Sequence, residues 1–290
     1  MRQKSQKFDN RQNMTRTTYE VFHYNEPMKN NVEVHNHDFY EIFILISGNI
    51  SYWMEGNIYK PKPGDILLID PMTLHRPIVD QNEPNYERIV LWINKNYLAS
   101  YVEKGTELSN CFEKAVENKR RLIRPTPLQK ADLTEKLSNL IKEYYSHDYG
   151  SSLYADSIFL QVMIELNRLS SYSAKKPEKQ NESSSLVTGL LEYIGENFVE
   201  DISLDILSER FFVSKYHLSH EFSKETGTSI YRYIMLKRLS KAKQMLQSDF
   251  TSAETAIQCG FKDYTSFFRA FKSEYGISPK AYSEVAQHDF

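Results

Sequence analysis

Two stretches, Ser214-Lys-Tyr-His-Leu-Ser-His-Glu-Phe-Ser-Lys-Glu-Thr-Gly227 and Asp263-Tyr-Thr-Ser-Phe-Phe-Arg-Ala-Phe-Lys-Ser-Glu-Tyr-Gly276, are two versions of one design, 49 residues apart. Each opens on a side chain that accepts hydrogen bonds from the first free N–H groups of a helix, and each closes on glycine. Leu218 and Phe222 in the first, and Phe267 and Phe271 in the second, are four apart and share a helix face. The other face is free to meet a partner. It carries Tyr216, Ser219, His220 and Ser223 in the first helix, and Thr265, Phe268, Arg269 and Lys272, with Tyr264 leading, in the second.

Working outward, Leu204–Phe211 reads as a short helix, followed by a turn at Phe212-Val213. Gly260-Phe261 makes the matching turn of the second unit. A short helix, a tight turn and a helix with a free face form a helix-turn-helix. Between the units, Ile230, Ile234, Leu239, Ala242 and Leu246 recur at helical spacing. A 17-residue helix spans about 25 Å. It would hold two such units roughly one DNA turn, about 34 Å, apart.

Residues 187–283 resemble the C-terminal domain of the AraC/XylS family of bacterial regulators. The residues that carry the resemblance are Leu218-x-x-x-Phe222-x-Lys224-x-x-Gly227, Tyr233-x-x-x-x-Arg238-Leu239-x-x-Ala242-x-x-x-Leu246, Ala256-x-x-x-Gly260-Phe261, Phe267-x-x-x-Phe271-Lys272 and Gly276-x-x-Pro279-x-x-Tyr282. Ser208, Ala253, Thr255 and Ser283 depart from the family's usual residues, none of them on the outward face. The resemblance implies sequence-specific binding of double-stranded promoter DNA through the outward faces, with RNA polymerase a candidate partner.

Charge argues mildly against a polyanionic partner. The whole chain carries a net −2, and residues 186–290 hold 12 Lys and Arg against 14 Asp and Glu. Yet Lys224, Arg232, Lys237, Arg238, Lys241 and Lys243 fall within 20 residues, opposed only by Glu225. A local field of this kind attracts phosphates whatever the domain sum. Lys241 and Lys243 are therefore expected to contact the DNA backbone.

The first half reads differently. Tyr40–Ile46, Ile50–Met54, Ile66–Ile69 and Arg88–Ile93 are short β-rich runs separated by turn signals such as Pro63-Gly64-Asp65. Closely spaced strands without helices between them predict a sandwich or small barrel. After residue 95, Leu133, Leu137, Leu140, Ile141 and Tyr144 mark one amphipathic helix; Phe159, Val162, Met163, Leu166 and Leu169 mark another. These helices either pack on the strands or also build a dimer seam.

His35-x-His37-x-x-x-Glu41, with the distant His75, resembles the cupin barrel. Its metal-binding members use such a set for Zn, Fe, Mn or Ni. Offsets of two and six would put His35, His37 and Glu41 on one face of an unbroken strand. The match is partial: Lys29 replaces a usual glycine and Val79 a usual asparagine. No metal and no cofactor is expected. His35, His37, Glu41 and His75, walled by Tyr52, Trp53 or Trp92, either hydrogen-bond a small effector or are structural residues satisfied internally.

The fold expected is α+β. It comprises a flexible N-terminus over 1–18, a cupin-like sensing and dimerisation barrel with its helices over 19–170, a solvated linker over 171–185, and an all-α double helix-turn-helix domain over 186–290. The function expected is a DNA-binding transcription regulator acting as a homodimer, and the resemblance implies that it answers to a small polar effector such as a sugar. The alternative is a metal-dependent cupin enzyme fused to a DNA-binding domain. Two separated cysteines, Cys111 and Cys259, and the lack of a long apolar run point to the cytoplasm and away from membranes.

Overall fold

The computed structural model describes residues 13–26, 32–80, 86–102, 106–173, 181–182, 185–248 and 250–288. The chain divides into two compact units, with the main break between Asn181 and Glu182. Most of the expected linker, and residues 1–12 of the expected flexible N-terminus, lie outside the described residues. Residues 13–18 are described: Thr15 Oγ1 and the Arg16 amide donate to Glu20 Oε1 at 2.8 and 2.9 Å.

In the first unit the elements are β1 (Tyr19–Asn25), β2 (Tyr40–Ser47), β3 (Ile50–Met54), β4 (Asn57–Tyr59), β5 (Ile66–Ile69), β6 (His75–Val79), β7 (Glu87–Ile93), α1 (Lys95–Ala99), α2 (Asn110–Glu117), β8 (Leu122–Ile123), α3 (Pro127–Tyr144) and α4 (Ser151–Ser173). At the break, β9 (Asn181–Glu182) adds to the edge beside β4. The expected barrel is realised as two sheets, in the orders β1-β7-β2-β5-β8 and β6-β3-β4-β9.

The five-stranded sheet is buried on both faces. Ile42 and Ile44 of β2, Ile66 and Leu68 of β5, and Ile89, Leu91 and Ile93 of β7 pack against the helices. Their neighbours Phe43, Leu45, Leu67, Ile69, Val90 and Trp92 face an interior shared with Tyr52 and Met54 of β3 and Val79 of β6. Double burial explains why these strands read as continuous apolar runs instead of alternating ones. Asp65, itself buried, pairs with Lys130 Nζ of α3 at 3.0 Å and with Arg124 Nε, between β8 and α3, at 3.2 Å.

Helix α3 starts at a reciprocal cap between Thr126 and Gln129, with Pro127 as its first residue. The apolar stripes of α3 and α4 are spent on the sheet: Leu133, Leu137, Leu140, Ile141, Phe159, Val162, Met163, Leu166 and Leu169 all belong to its core. They are not available as a seam. The outward side of α4 carries Leu153, Tyr154 and Ile164 instead.

The second unit holds α5 (Ser185–Asn197), α6 (Leu204–Phe211), α7 (Lys215–Thr226), α8 (Ile230–Leu246), α9 (Ser252–Gln258), α10 (Tyr264–Tyr275) and α11 (Pro279–His288). Ser203, Ser214, Ser229, Thr251 and Asp263 each cap the helix that follows. Helix α8 is a spine. It buries Ile230, Tyr233 and Ile234 toward its start and Leu239, Ala242 and Leu246 toward its end. The latter three join Phe267, Phe271 and Tyr275 in one core. An ion pair of 2.6 Å between Arg232 and Glu274 ties α8 to α10.

Candidate nucleic-acid interface and effector site

Each helix-turn-helix is built from its caps inward. In the first, Ser214 Oγ accepts from the His217 amide and Gly227 closes α7 in the left-handed conformation. Ser208, a departure from the family pattern, donates its hydroxyl to Val213 O at 2.7 Å and so braces the turn. In the second, Asp263 accepts from the Ser266 amide at 2.7 Å and from its hydroxyl at 2.8 Å. Those bonds hold the Asp263 carboxyl below its ordinary pKa.

Leu218, Phe222, Phe267 and Phe271 are fully buried, which turns the opposite faces outward. Tyr216, His220 and Ser223 are exposed on α7, with Ser219 half-buried beside them. Tyr264, Thr265, Arg269 and Lys272 are exposed on α10, with Phe268 half-buried. The faces expected to meet DNA are thus both present.

The basic cluster is corrected. Lys243 is 1% exposed and lies over the Tyr275 and Tyr282 rings, at 4.6 and 5.2 Å from their centroids. Its stem follows the buried side of α8, so it cannot reach a phosphate. Arg232 is engaged with Glu274. Arg238 donates to Phe198 O and Glu200 O at 2.6 and 2.7 Å, behind α5. Lys241 donates to Gln258 O at 3.0 Å, the last carbonyl of α9, where a cation is favoured. Sequence proximity on a helix spreads side chains around its circumference, and much of this cluster stabilises the fold.

In the first unit, β2 begins only at Tyr40, so the strand is not unbroken through the histidines. His37 reaches Glu41 from the turn before the strand, Nε2 to Oε2 at 3.2 Å. His75 comes from the start of β6. Ligand atoms of His37, Glu41 and His75 lie within 4.8 Å of one another, all three residues being buried. His35 is not in this group. It is half-exposed and its Nδ1 bonds Glu33 O at 2.9 Å. Trp53 is also displaced from the expected site. It is buried, but Tyr52 and Met54 on either side of it take the interior, and alternation sends Trp53 to the other face.

Around Glu41 the interior supplies donors. Trp92 Nε1 donates at 3.0 Å and the Tyr52 hydroxyl at 3.4 Å. Burial, then the Glu41 charge, push the Tyr52 hydroxyl well above its ordinary pKa. His37 Nδ1 faces Phe39 O at 2.9 Å and His75 Nδ1 faces Thr73 O at 2.8 Å. A carbonyl can only accept, so each Nδ1 carries hydrogen. The contact from His37 Nε2 to the carboxylate then needs a second proton, or another cation, between them.

One residue of this interior escaped the sequence. Arg88, on the same side of β7 as Trp92, is buried over Tyr24 and Tyr86, at 4.7 and 4.1 Å from their centroids. Burial lowers its pKa. The signal was a charged residue at the head of the Arg88–Ile93 run, where alternation from Val90 and Trp92 could have assigned it inward.

Both parts of the chain are similar to known proteins. A profile of the AraC-like ligand binding domain matches residues 18–163, and a helix-turn-helix domain profile matches residues 207–284. The chain is 27% identical over 234 residues to the uncharacterized HTH-type transcriptional regulator YbfI of Bacillus subtilis strain 168, covering 79% of this chain and 78% of the relative. It is 23% identical over 247 residues to the HTH-type transcriptional activator RhaS of Escherichia coli O139:H28, covering 85% of each. The crystal structure of the DNA-binding domain of AdpA, a global transcriptional factor, in complex with a target DNA is 24% identical. It covers 36% of this chain and 96% of that one, with a TM-score of 0.35.

Proposed function

The chain belongs to the AraC family of transcription regulators, which join a ligand-binding domain to a DNA-binding helix-turn-helix domain; from that premise we propose that it regulates transcription in answer to a small, hydroxyl-bearing polar effector such as a sugar. One observation carries the choice of effector. Two imidazole Nε2 atoms and a carboxylate converge in the interior of the sheets, beside an indole and a phenol. Such a set exchanges hydrogen bonds with hydroxyls, which both donate and accept, while aromatic faces cover the apolar side of a sugar ring. Effector binding favours one arrangement of the DNA-binding domains over another. The protein acts in the cytoplasm, on double-stranded promoter DNA, with RNA polymerase as partner, and is not an enzyme. Titrating the purified chain, with Trp53 replaced by phenylalanine so that Trp92 alone reports, against a panel of neutral sugars, followed by tryptophan fluorescence, tests this. Binding by one member that is lost in His75→Ala supports it; no response to any polyol refutes it.

The same reading takes the protein as a homodimer, joined through the outward side of α4, where Leu153 and Ile164 are exposed. Sedimentation checks it. The dimer is expected to dissociate when both become glutamate, and a wild-type monomer at micromolar concentration refutes it.

A second reading is favoured by the proton count. With both Nδ1 atoms donating to carbonyls, neutral His37 and His75 would offer Nε2 lone pairs as ligand atoms beside the Glu41 carboxylate. Carbonyl-bound Nδ1 is the usual outer support of a metal-ligating histidine. These three residues would hold Zn, Fe, Mn or Ni without His35. About one metal per purified chain, lost in His37→Ala, would replace the effector reading by this one. No helix among the described residues is long and apolar enough to cross a membrane.

A further inference from the structure

The two helix-turn-helix units turn alike but place different residues at the turn. Val213 N donates to Ser208 O at 3.2 Å, and Phe261 N to Ala256 O at 3.1 Å. Phe212 and Gly260 therefore hold equivalent left-handed positions, at φ 55° and 79°. At Gly260 a side chain is excluded, because a Cβ would lie 2.1 Å from Val199 O. At Phe212 the position is open, and the ring is 93% exposed.

Phenylalanine is disfavoured there on two counts. A residue with a Cβ is strained in the left-handed region, and a solvated ring gains nothing from burial. Glycine would make the same turn without either cost. A strained residue kept at such a place points to a role outside the fold.

Its position says what covers it. Phe212 stands two residues before Ser214, the cap of α7. A recognition helix meets base edges with its N-terminal residues. Tyr216, 80% exposed, sits at that same end, its ring near-parallel to that of His220 at 6.0 Å. Two exposed aromatic rings, Phe212 and Tyr216, thus flank the cap at the leading end of α7. The outward face of α7 holds Tyr216, Ser219, His220 and Ser223, led by Lys215, which is paired with Asp205; it has no Arg, Asn or Gln to bond a purine bidentately. Helix α10 has Arg269 for that work. What apolar and aromatic groups can read in the major groove is the thymine C5-methyl.

We propose that Phe212, together with Tyr216, reads a thymine methyl, so that α7 selects by apolar contact and α10 by hydrogen bonding. The proposal rests on α7 entering the groove. The test uses the full chain and a duplex it selects from a random pool, with thymines replaced singly by deoxyuridine, which removes the methyl alone. Wild type is expected to lose about fivefold or more in affinity at one such thymine, the lower end of the cost of a lost base contact. Phe212→Gly is expected to melt at a higher temperature, bind the parent duplex about as weakly as wild type binds the uracil duplex, and no longer distinguish the two. Phe212→Leu, still apolar, is expected to keep part of the discrimination. Undiminished binding by Phe212→Gly overturns the proposal. So does a loss that is equal on thymine and uracil duplexes, or a fall in promoter activity with DNA binding unchanged, which would assign Phe212 to a protein partner.

Discussion

Trp92 and Glu41 stand directly opposite each other on β7 and β2, and the indole N–H donates to the carboxylate at 3.0 Å. A buried hydrogen bond to a charged group contributes roughly 1.5–3 kcal/mol. Trp92→Phe keeps an aromatic wall but removes the donor. It is expected to lower stability by about that amount in urea unfolding. Tyr52→Phe, whose hydroxyl lies 3.4 Å from Glu41 Oε1, is expected to cost less. An equal or reversed order would show that Tyr52, not Trp92, orients Glu41.

Gly260 makes the opposite prediction to Phe212 from the same backbone. An alanine there would be left-handed and would collide with Val199 O. Backbone oxygen cannot swing aside as a flexible side chain can, so α9 or the segment around Val199 must shift. Gly260→Ala is expected to cost about 2 kcal/mol or more. Circular dichroism melting of the full chain checks it, and an unchanged transition would show that this turn tolerates a β-carbon.

The DNA-binding half was legible because its signals are local. Caps, closing glycines and four-residue apolar spacing lie within single helices, and the structure adds Ser208 and Phe212 to them without moving any. The first half was legible in its strands but only partly in its site. His37, Glu41 and His75 meet through a turn and two sheets, while His35 and Trp53 were assigned by assuming an unbroken strand and an unspecified face. Strand parity around Tyr52 and Met54 decides Trp53, and parity needs the register. The basic cluster failed for a related reason: composition counts charges, whereas a helix distributes them between solvent and core.

Lys243 and Lys272 separate those fates. Lys243 is buried over two tyrosines, and Lys272 is exposed on α10. Lys243→Ala is expected to destabilise the fold by about 2–3 kcal/mol through lost packing and cation–π contact. The salt dependence of DNA binding by the folded protein should not change. Lys272→Ala is expected to leave stability within about 0.5 kcal/mol and to lower the salt slope by about one unit, as for one lost phosphate contact. Binding isotherms across a salt series, beside denaturation curves, give both quantities. A reduced slope for Lys243→Ala would place that ammonium at the DNA after all.

Arg269 carries the sharpest expectation about sequence reading. It is exposed on α10, two positions after buried Phe267 and two before buried Phe271, so its stem leaves the helix on the outward face. His220 holds the same offset from Leu218 on α7. Arginine bonds bidentately to O6 and N7 of guanine, a pattern no other base offers in the major groove. Phosphate contacts position a protein but specify nothing. Asp263 is close enough for the Arg269 charge to help lower its pKa, but hydrogen bonds from Ser266 come first, so the cap does not depend on the guanidinium. Removing Arg269 should therefore spare the helix and change the reading. Arg269→Ala is expected to weaken specific binding by about 1–3 kcal/mol and to relax the preference at one base pair. Binding to a panel of single-base operator changes measures this. A loss spread evenly over the panel would make Arg269 a backbone contact, and the reading of that base pair would then have to come from Thr265, Phe268 or Tyr264.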